Sequence, residues 1–525
     1  MSNLSDELSK LQGFEKLSRD TQEFFKEACE QQKSLYKIIS INPSRSNLLY
    51  CDGSLESPEF KFILDFFDQV TFELNHSSKV FDKILEILIP MSMILFKTIG
   101  DELVPIISIT VIITNQKCPG NDLKNKGHIT KIIFDPKYGL EGQIDFSGMI
   151  TLITAVLPPT IPSIYDNMFK GCLSLSEIKI PDSVTTIGMN SFSNCPRLRE
   201  INLPDSVIKI GSGCFSECKK LEKVTLPSKL TSIEKSTFSM CYQLKEVNIP
   251  TSIKTIGSNA FNECKALAEV SIPEGVSVIE NGSFMNCSSL TKVTLPSTIE
   301  RIDKEAFKNC SLLETVNLPA SLKSIDDYAF NGCKSLKEIV IPESTGQIKM
   351  RSFKDCTSLE KVTILSKKVG LDNGCFSGCS SLKEITLPDC ESIPFNAFSG
   401  CSSLSKISIP SSSVNSIGNK AFSGCSSLTE ISIPSSVIIV GNSAFSGCSS
   451  LTEISIPSSV SIIGSSVFSD CSALKNVSIL TTKATFGFGI FKGCTIEEIS
   501  TPSPKKISMN KMILGISSSV SIKKI

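Results

Sequence analysis

The chain of 525 residues carries 53 basic and 53 acidic side chains, so its formal net charge is zero, and 41% of its residues are hydrophobic. The balanced charge argues against nucleic-acid binding, which usually needs a basic excess, and the apolar content argues against a disordered chain. Because the sequence contains only two histidines, His76 and His128, catalysis or metal binding that depends on histidine is not expected.

The first 115 residues show the periodicity of helices. Apolar residues recur at helical spacing from Leu4 to Phe14, and Ser57-Pro58 precedes a second stretch of this kind. We therefore predict a small, mostly helical domain over residues 1–115 that either caps the following repeats or binds a partner. An enzyme site confined to this domain is a further alternative.

No targeting segment is expected from the sequence. The first twenty residues do not contain a basic segment followed by an apolar one, which is the pattern of a secretory signal. The most apolar stretch, residues 84–114, is interrupted by charged residues and prolines, so a membrane span is not expected. These features favour a cytoplasmic location.

A repeat with a period of about 23 residues follows the turn-rich segment 116–128, which we interpret as a boundary loop. Fifteen cysteines keep this period from Cys172 to Cys494, and phenylalanine precedes each of them by three residues. A single unit of this size cannot bury its own apolar side chains, whereas stacked units bury a continuous column. The period therefore predicts a solenoid.

Each unit has a strand and a return segment. In one unit, the alternating Leu451, Ile454 and Ile456 predict a short strand, which ends at Pro457 because proline has no N–H to donate. Gly464 and its equivalents are expected to adopt unusual backbone angles at a bend. The segment Phe-x-x-Cys then returns the chain with its large side chains inward.

The period extends over residues 129–502. Earlier strands are expected within 129–134 and 152–158, and a shortened last strand within 496–499. We predict an α/β-type solenoid of about 17 coils, each of roughly 23 residues, with a parallel sheet on one face. Residues 503–525 are predicted to form a basic C-terminal cap.

The pattern Leu-x-x-Ile-x-Leu-Pro, Val-x-x-Ile-Gly and Ala-Phe-x-x-Cys resembles the BspA-like (Treponema pallidum-type) class of leucine-rich repeats over residues 129–502. This resemblance implies a solenoid with a binding role, often as a surface antigen or adhesin of bacteria and parasitic protists. The position after the strand, which usually holds Asn or Cys, holds serine here, as at Ser206, Ser252 and Ser459. A buried asparagine ladder is therefore not expected.

Three interpretations of the cysteine column remain open. The thiols are small buried apolar groups, or neighbouring coils are linked by disulfides, or the column binds metal. Equivalent Cα atoms in a parallel stack lie close enough for disulfides, but side chains that share one rotamer point in parallel. A straight column without a C-x-x-C motif closes a tetrahedral site poorly. These arguments favour buried thiols, and no metal or cofactor is predicted.

The strand positions between the inward residues are expected to form a polar strip on a concave face. This strip is the predicted protein-binding surface, and the alternative is a solvated face whose mixed charges pair weakly across strands. Its predicted residues are Glu177, Glu200, Asn202, Lys223, Glu246, Asn248, Glu269, Lys292, Asn317, Glu338, Lys361 and Glu384. Since the strip lacks aromatic anchors, many weak contacts are expected rather than one tight site.

No catalytic motif is found, because the sequence has neither a P-loop nor the G-x-S-x-G and H-E-x-x-H patterns. We therefore predict a non-enzymatic, monomeric protein-interaction scaffold or recognition arm that binds protein partners and not nucleic acid. The alternative is a surface antigen or adhesin that contacts host protein or matrix and is exported without a visible signal peptide.

Overall fold

The computed structural model describes residues 130–134, 144–411 and 413–525, and the backbone of four strands between residues 71 and 113. The chain divides into two compact units. Unit 1 extends to Val207 and includes Glu217–Leu221, and unit 2 comprises Ile208–Ser216 and Glu222–Ile525. Parallel-sheet coils of about 23 residues make up both units, and the solenoid has about 17 of them.

The described part of residues 1–115 consists of strands. Phe96–Ile99 pairs antiparallel with Glu102–Pro105, and Thr110–Ile113 pairs parallel with both Thr71–Leu74 and Lys131–Phe134. The parallel sheet therefore begins within the region for which we predicted a mostly helical domain. The predicted helices near residues 4–14 and 58–70 lie outside the described residues, as does the boundary loop 116–128.

Each coil except the one around Glu430 contributes one strand of two to four residues to the predicted sheet, and we call these the wide strands. Neighbouring wide strands pair in parallel with a shift of about one coil, as Lys223–Thr225 does with Glu246–Asn248. The wide strands of unit 1 are Lys131–Phe134, Thr154–Val156, Glu177–Lys179 and Glu200–Asn202. Those of unit 2 are Lys223–Thr225, Glu246–Asn248, Glu269–Ser271, Lys292–Thr294, Thr315–Val316, Glu338–Ile341, Lys361–Ile364, Glu384–Thr386, Lys406–Ser408, Glu453–Ile456, Asn476–Ile479, Glu498–Thr501 and Ser521–Lys524.

A second parallel ladder, which the sequence did not predict, is formed by two-residue strands that we call the narrow strands. In each, the second residue is apolar and mostly buried and the first faces outward, as in Thr255–Ile256. The narrow strands of unit 1 are Ser163–Ile164 and Thr186–Ile187. Those of unit 2 are Lys209–Ile210, Ser232–Ile233, Thr255–Ile256, Val278–Ile279, Arg301–Ile302, Ser324–Ile325, Gln347–Ile348, Gly370–Leu371, Ser392–Ile393, Ser416–Ile417, Ile439–Val440, Ile462–Ile463 and Thr485–Phe486. The expectation of a sheet on one face only was therefore incomplete.

The return segment is built of turns and not of helix, so the α/β-type prediction was wrong in this respect. The backbone has positive φ two residues before and two residues after the phenylalanine, as at Glu305 (58°) and Asn309 (60°) around Phe307. A right-handed helix cannot pass through two left-handed residues. Because these turns aim the ring into the coil, Phe307 is fully buried.

The phenylalanines form a stacked column at the centre of each unit. In unit 1, Phe169 and Phe192 stack with ring centroids 5.5 Å apart. In unit 2, successive rings from Phe215 to Phe491 lie 5.3–5.7 Å apart and within 14° of parallel. The inward faces predicted from the period are therefore confirmed.

The recurrent glycine after the narrow strand does not adopt unusual backbone angles, contrary to expectation. It is required instead by a close approach between coils, because a Cβ atom at Gly257 would lie 2.7 Å from the backbone N of Lys235. At Gly441 the corresponding distance, to the backbone N of Asn419, would be 2.5 Å. Both distances are too short for a side chain without a backbone shift.

Serine stands where commoner repeats have an asparagine ladder, as predicted, and its hydroxyl donates to a backbone carbonyl of the preceding coil. Ser252 donates a hydrogen bond to the carbonyl O of Leu230 at 2.6 Å, and Ser436 donates to that of Val414 at 2.7 Å. The equivalent oxygen of Ser459 is buried without a partner. Hydroxyl groups therefore join most neighbouring coils on this side.

The C-terminal segment adds a further strand to the array. Two short helices, α1 (Pro504–Met509) and α2 (Lys511–Leu514), bury Ile507 and Leu514. The chain then returns as Ser521–Lys524, which pairs parallel with Glu498–Thr501. The predicted shortened last strand is thus a full four-residue strand and not the last one.

Candidate interaction surface on the wide strands

Within each unit the outward residues of the wide strands form a polar strip, which we call the strand strip. Its three-residue strands show the burial pattern exposed–buried–exposed, as in Lys223–Thr225 and Glu269–Ser271. All twelve side chains predicted for the binding surface are exposed. The alternation follows from the two-residue period of a strand, whose inner residues pack against the phenylalanine column.

The pairing of the strands brings predicted residues of opposite charge side by side. Lys223 is in register with Glu246, and Glu338 with Lys361, which is in turn in register with Glu384. Equivalent atoms of neighbouring strands in a sheet lie about 4.8 Å apart. The strip in this part of unit 2 is therefore an alternating ladder of charges.

A second column of charges, one residue before the strip, was missed by the sequence reasoning. Lys245 pairs with Glu222 at 2.7 Å, Lys337 with Glu314 at 3.4 Å, and Lys383 with Glu360 at 2.5 Å. The hydrogen bond from Lys383 lowers the pKa of the Glu360 carboxyl. Opposite charges separated by one repeat in the sequence are the signal that could have revealed these pairs.

The two columns alternate in opposite phase, so they neutralise each other. Between residues 314 and 406 they contain four glutamates and four lysines, namely Glu314, Glu338, Glu360, Glu384, Lys337, Lys361, Lys383 and Lys406. Exposed pairs of this kind contribute little stability. Their main effect is that this stretch attracts neither acidic nor basic partners over a distance.

The strip changes character in the coils 421–443 and 444–466, whose sequences differ at only three positions. Glu430 and Glu453 occupy the strip position there, and the neighbouring column holds the uncharged Thr429 and Thr452. All four side chains are exposed. This part of the strip is therefore acidic, and the described strip positions carry no aromatic side chain.

The cysteine column consists of free buried thiols that bond to the backbone. All fifteen cysteines donate from Sγ to the carbonyl O of the phenylalanine one coil earlier, at 2.9–3.4 Å, as Cys310 does to Phe284 at 3.1 Å. Fourteen are buried and Cys494 is partly exposed. This arrangement confirms the interpretation as buried thiols, and the described cysteines form no disulfide.

Burial makes these thiols poor nucleophiles. Loss of hydration raises the pKa of Cys218 to about 12, and it raises the pKa of Cys390, outside the column, to about 11. A thiol reacts and binds metal as its thiolate. Within the described residues no group of three or more His, Cys, Asp or Glu side chains is arranged to hold a metal ion.

His76 and His128 both lie outside the described residues. In the described part of the chain, no helix has the length and apolar character needed to cross a bilayer.

Comparison with known proteins gives a family match over most of the chain. The family model described as BspA type leucine rich repeat region matches residues 116–242, 185–314, 301–413 and 391–512. These matches together span three quarters of the sequence. No curated protein matches the chain significantly.

Solved structures of leucine-rich repeat proteins match large parts of the chain. A leucine-rich repeat protein of Bacteroides ovatus is 28% identical, with a TM-score of 0.52, over 71% of this chain and 92% of that one. A leucine-rich repeat protein of Eubacterium ventriosum is 20% identical, with a TM-score of 0.39, over 65% of this chain and 90% of that one. The leucine-rich repeat protein of T. pallidum is 20% identical, with a TM-score of 0.19, over 48% of this chain and 78% of that one.

Proposed function

Because the chain belongs to the BspA-type leucine-rich repeat family, we propose that it is a non-enzymatic protein-interaction solenoid that binds protein partners through its strand strip. The observation that carries the proposal is the strip itself, which presents exposed polar side chains at regular intervals on buried columns. A binding surface on a rigid scaffold loses little conformational entropy when it meets a partner. The strip therefore suits recognition of another folded surface.

The partner engages the part of the strip whose charges are not neutralised. Glu430 and Glu453 occupy the strip position of adjacent coils, and the uncharged Thr429 and Thr452 stand beside them. Complementary charge increases the rate of association and selects the partner more than it raises affinity. We infer a partner with a basic face that makes many weak contacts, because the strip offers no aromatic anchor.

The test is affinity capture after cross-linking, with the full-length chain as bait. A variant carrying Glu430→Lys and Glu453→Lys is compared with a control carrying Glu343→Lys and Glu391→Lys, two exposed glutamates outside the strip. Loss of the same captured protein with the first pair and its retention with the second supports the proposal. Equal capture by both variants would refute a role for the strip.

We further propose a cytoplasmic location, supported by the column of free thiols, which a reducing compartment preserves. The alternative is a surface antigen or adhesin that contacts host protein or matrix. Protease treatment of intact source cells, followed by immunoblotting for the solenoid, distinguishes the two. Survival of the full-length band until lysis supports the cytoplasm, and its loss beside an intact cytosolic control protein supports the surface.

A further inference from the structure

The C-terminal end of the chain exposes the most accessible apolar side chains among the described residues. The exposed fraction is 91% for Met512, 85% for Met509 and 73% for Phe488. We define the C-terminal tip as these three residues together with Lys505, Ile513 and Lys524, since helix α1 lies against the strand that ends at Lys524. A side chain that lines a groove is covered on its flanks, so fractions this high mean that the side chains project into solvent.

Two features of the fold bring these residues to one place. Helix α1 buries Ile507, so Lys505 and Met509, which are four residues apart, share an outward face. The backbone N–H of Gly489 donates to the carbonyl O of Ile513 at 2.7 Å, which places Phe488 beside helix α2. The tip is therefore one surface and not a set of scattered side chains.

The same segment concentrates positive charge. Residues 503–525 contain five lysines and no acidic residue, although the whole chain has no net charge. Three of these lysines are used within the fold. Lys506 donates to the carbonyls of Thr482 and Ala484, Lys511 donates to those of Ser518 and Val520, and Lys523 pairs with Glu498 at 2.5 Å. The ammonium groups of Lys505 and Lys524 are exposed and have no partner among the described residues.

We propose that the C-terminal tip docks on the surface of an anionic lipid membrane. Met509, Met512 and Phe488 enter the boundary between headgroups and acyl chains, and Lys505 and Lys524 meet the lipid phosphates and carboxylates. Projecting apolar side chains flanked by lysines suit a fluid interface, which closes around each side chain. An acidic helical peptide would instead require a groove with partly covered walls.

The docking is reversible and depends on salt. Each lysine near an anionic surface changes the partition coefficient by about fivefold, equivalent to about 1 kcal/mol. Nearly complete burial of one methionine side chain in the interface raises the partition coefficient by about tenfold. Three apolar and two basic side chains therefore give measurable attachment, although far weaker than that of a membrane-spanning helix.

The experiment is sedimentation of the full-length chain with vesicles of phosphatidylcholine alone or of phosphatidylcholine with about one third phosphatidylserine. We expect binding to the anionic vesicles, weakening with added salt as surface charge is screened. Met509→Ser with Met512→Ser should lower the partition coefficient at least tenfold, and Lys505→Gln with Lys524→Gln should lower it about 25-fold.

Two control variants change comparable side chains elsewhere. Ile439→Ser with Ile462→Ser removes exposed apolar groups from the narrow strands, and Lys367→Gln with Lys368→Gln removes exposed cations outside the strand strip. Both should sediment like the unmodified chain, and an unchanged urea midpoint should show that all variants are folded. No binding to anionic vesicles, or equal losses in tip and control variants, would overturn the proposal. The proposal would also be overturned if fluorescence anisotropy showed that an acidic amphipathic peptide binds the tip while the chain does not bind vesicles.

Discussion

Removal of one ring from the phenylalanine column tests the packing of the solenoid most directly. In the variant Phe307→Ala, the ring that is lost is fully buried and stacks on Phe284 and Phe330, with centroids 5.5 Å and 5.3 Å away. Transfer of the side chain out of water accounts for about 2–3 kcal/mol. The cavity left between two rings that cannot close together raises the expected cost to about 3–5 kcal/mol.

The assay must report on single coils, because a long repeat array need not unfold in one step. Native-state hydrogen exchange meets this need, since the amide of Phe307 donates to Ala329 O at 2.8 Å and that of Phe284 donates to Ala306 O at 2.9 Å. A loss of about 3–5 kcal/mol accelerates their exchange by roughly 10²–10⁴-fold, provided that they exchange through local opening.

The matched control is Glu269→Ala, which removes an exposed side chain from the strand strip. Its cost should stay below about 1 kcal/mol, as for most surface substitutions. Similar effects of the two changes on exchange would show that the inward and outward faces have been assigned wrongly. A cost below about 1 kcal/mol for Phe307→Ala would show that neighbouring coils collapse into the space.

Three further predictions concern the glycine contact, the charge columns and the thiols. Gly257→Ala should lower the free energy of unfolding by about 1–3 kcal/mol, as overpacking does, because its Cβ would meet the backbone of Lys235. In the same urea titration, the control Gly370→Ala should cost less, since its nearest atom lies 3.6 Å away. Equal costs would contradict the close-approach argument. Lys383→Ala should raise the pKa of the Glu360 carboxyl, which carboxyl ¹³C NMR measures. It should leave the urea midpoint almost unchanged, since both side chains are exposed. An unshifted pKa would argue against the ion pair. Burial raises the pKa of Cys218 to about 12, so the stability contributed by its neutral thiol is complete below the unfolded pKa of about 8.5 and is lost as pH rises toward the folded value. The urea midpoint of the unmodified chain should therefore fall between about pH 9 and pH 11, and that of Cys218→Ala should fall less steeply. Parallel pH profiles of the two midpoints would exclude this thiol as a cause.

The period of the repeat was sufficient to predict the wide strands and the buried columns, because each depends on apolar residues that recur in every coil. It did not reveal the narrow strands, since two residues are too few to show an alternation. The sequence pattern also did not predict the positive φ angles two residues before and two residues after the phenylalanine. Glu305, Tyr328 and Arg351 adopt them although none of these residue types favours that region, so the turn imposes the conformation.

The strip illustrates the same limit for the candidate site. Its exposed residues could be predicted from strand alternation alone. The neighbouring column that neutralises Lys361 and Glu384 was missed, because only the strip position and not the residue before it was followed from coil to coil. The strand Ser521–Lys524 was missed because residues 503–520 interrupt the period before it.

The side-chain hydrogen bonds of the cysteine and serine columns point one way along the array, which has a consequence for synthesis on the ribosome. Cys310 donates to Phe284, and Ser321 donates to Ile299, so each coil gives its buried donors to carbonyls that left the ribosome earlier. A coil takes about one to five seconds to translate. Each new coil within a unit therefore finds the acceptors of these side chains already in place as it emerges, and these donors need not wait for residues still to be made.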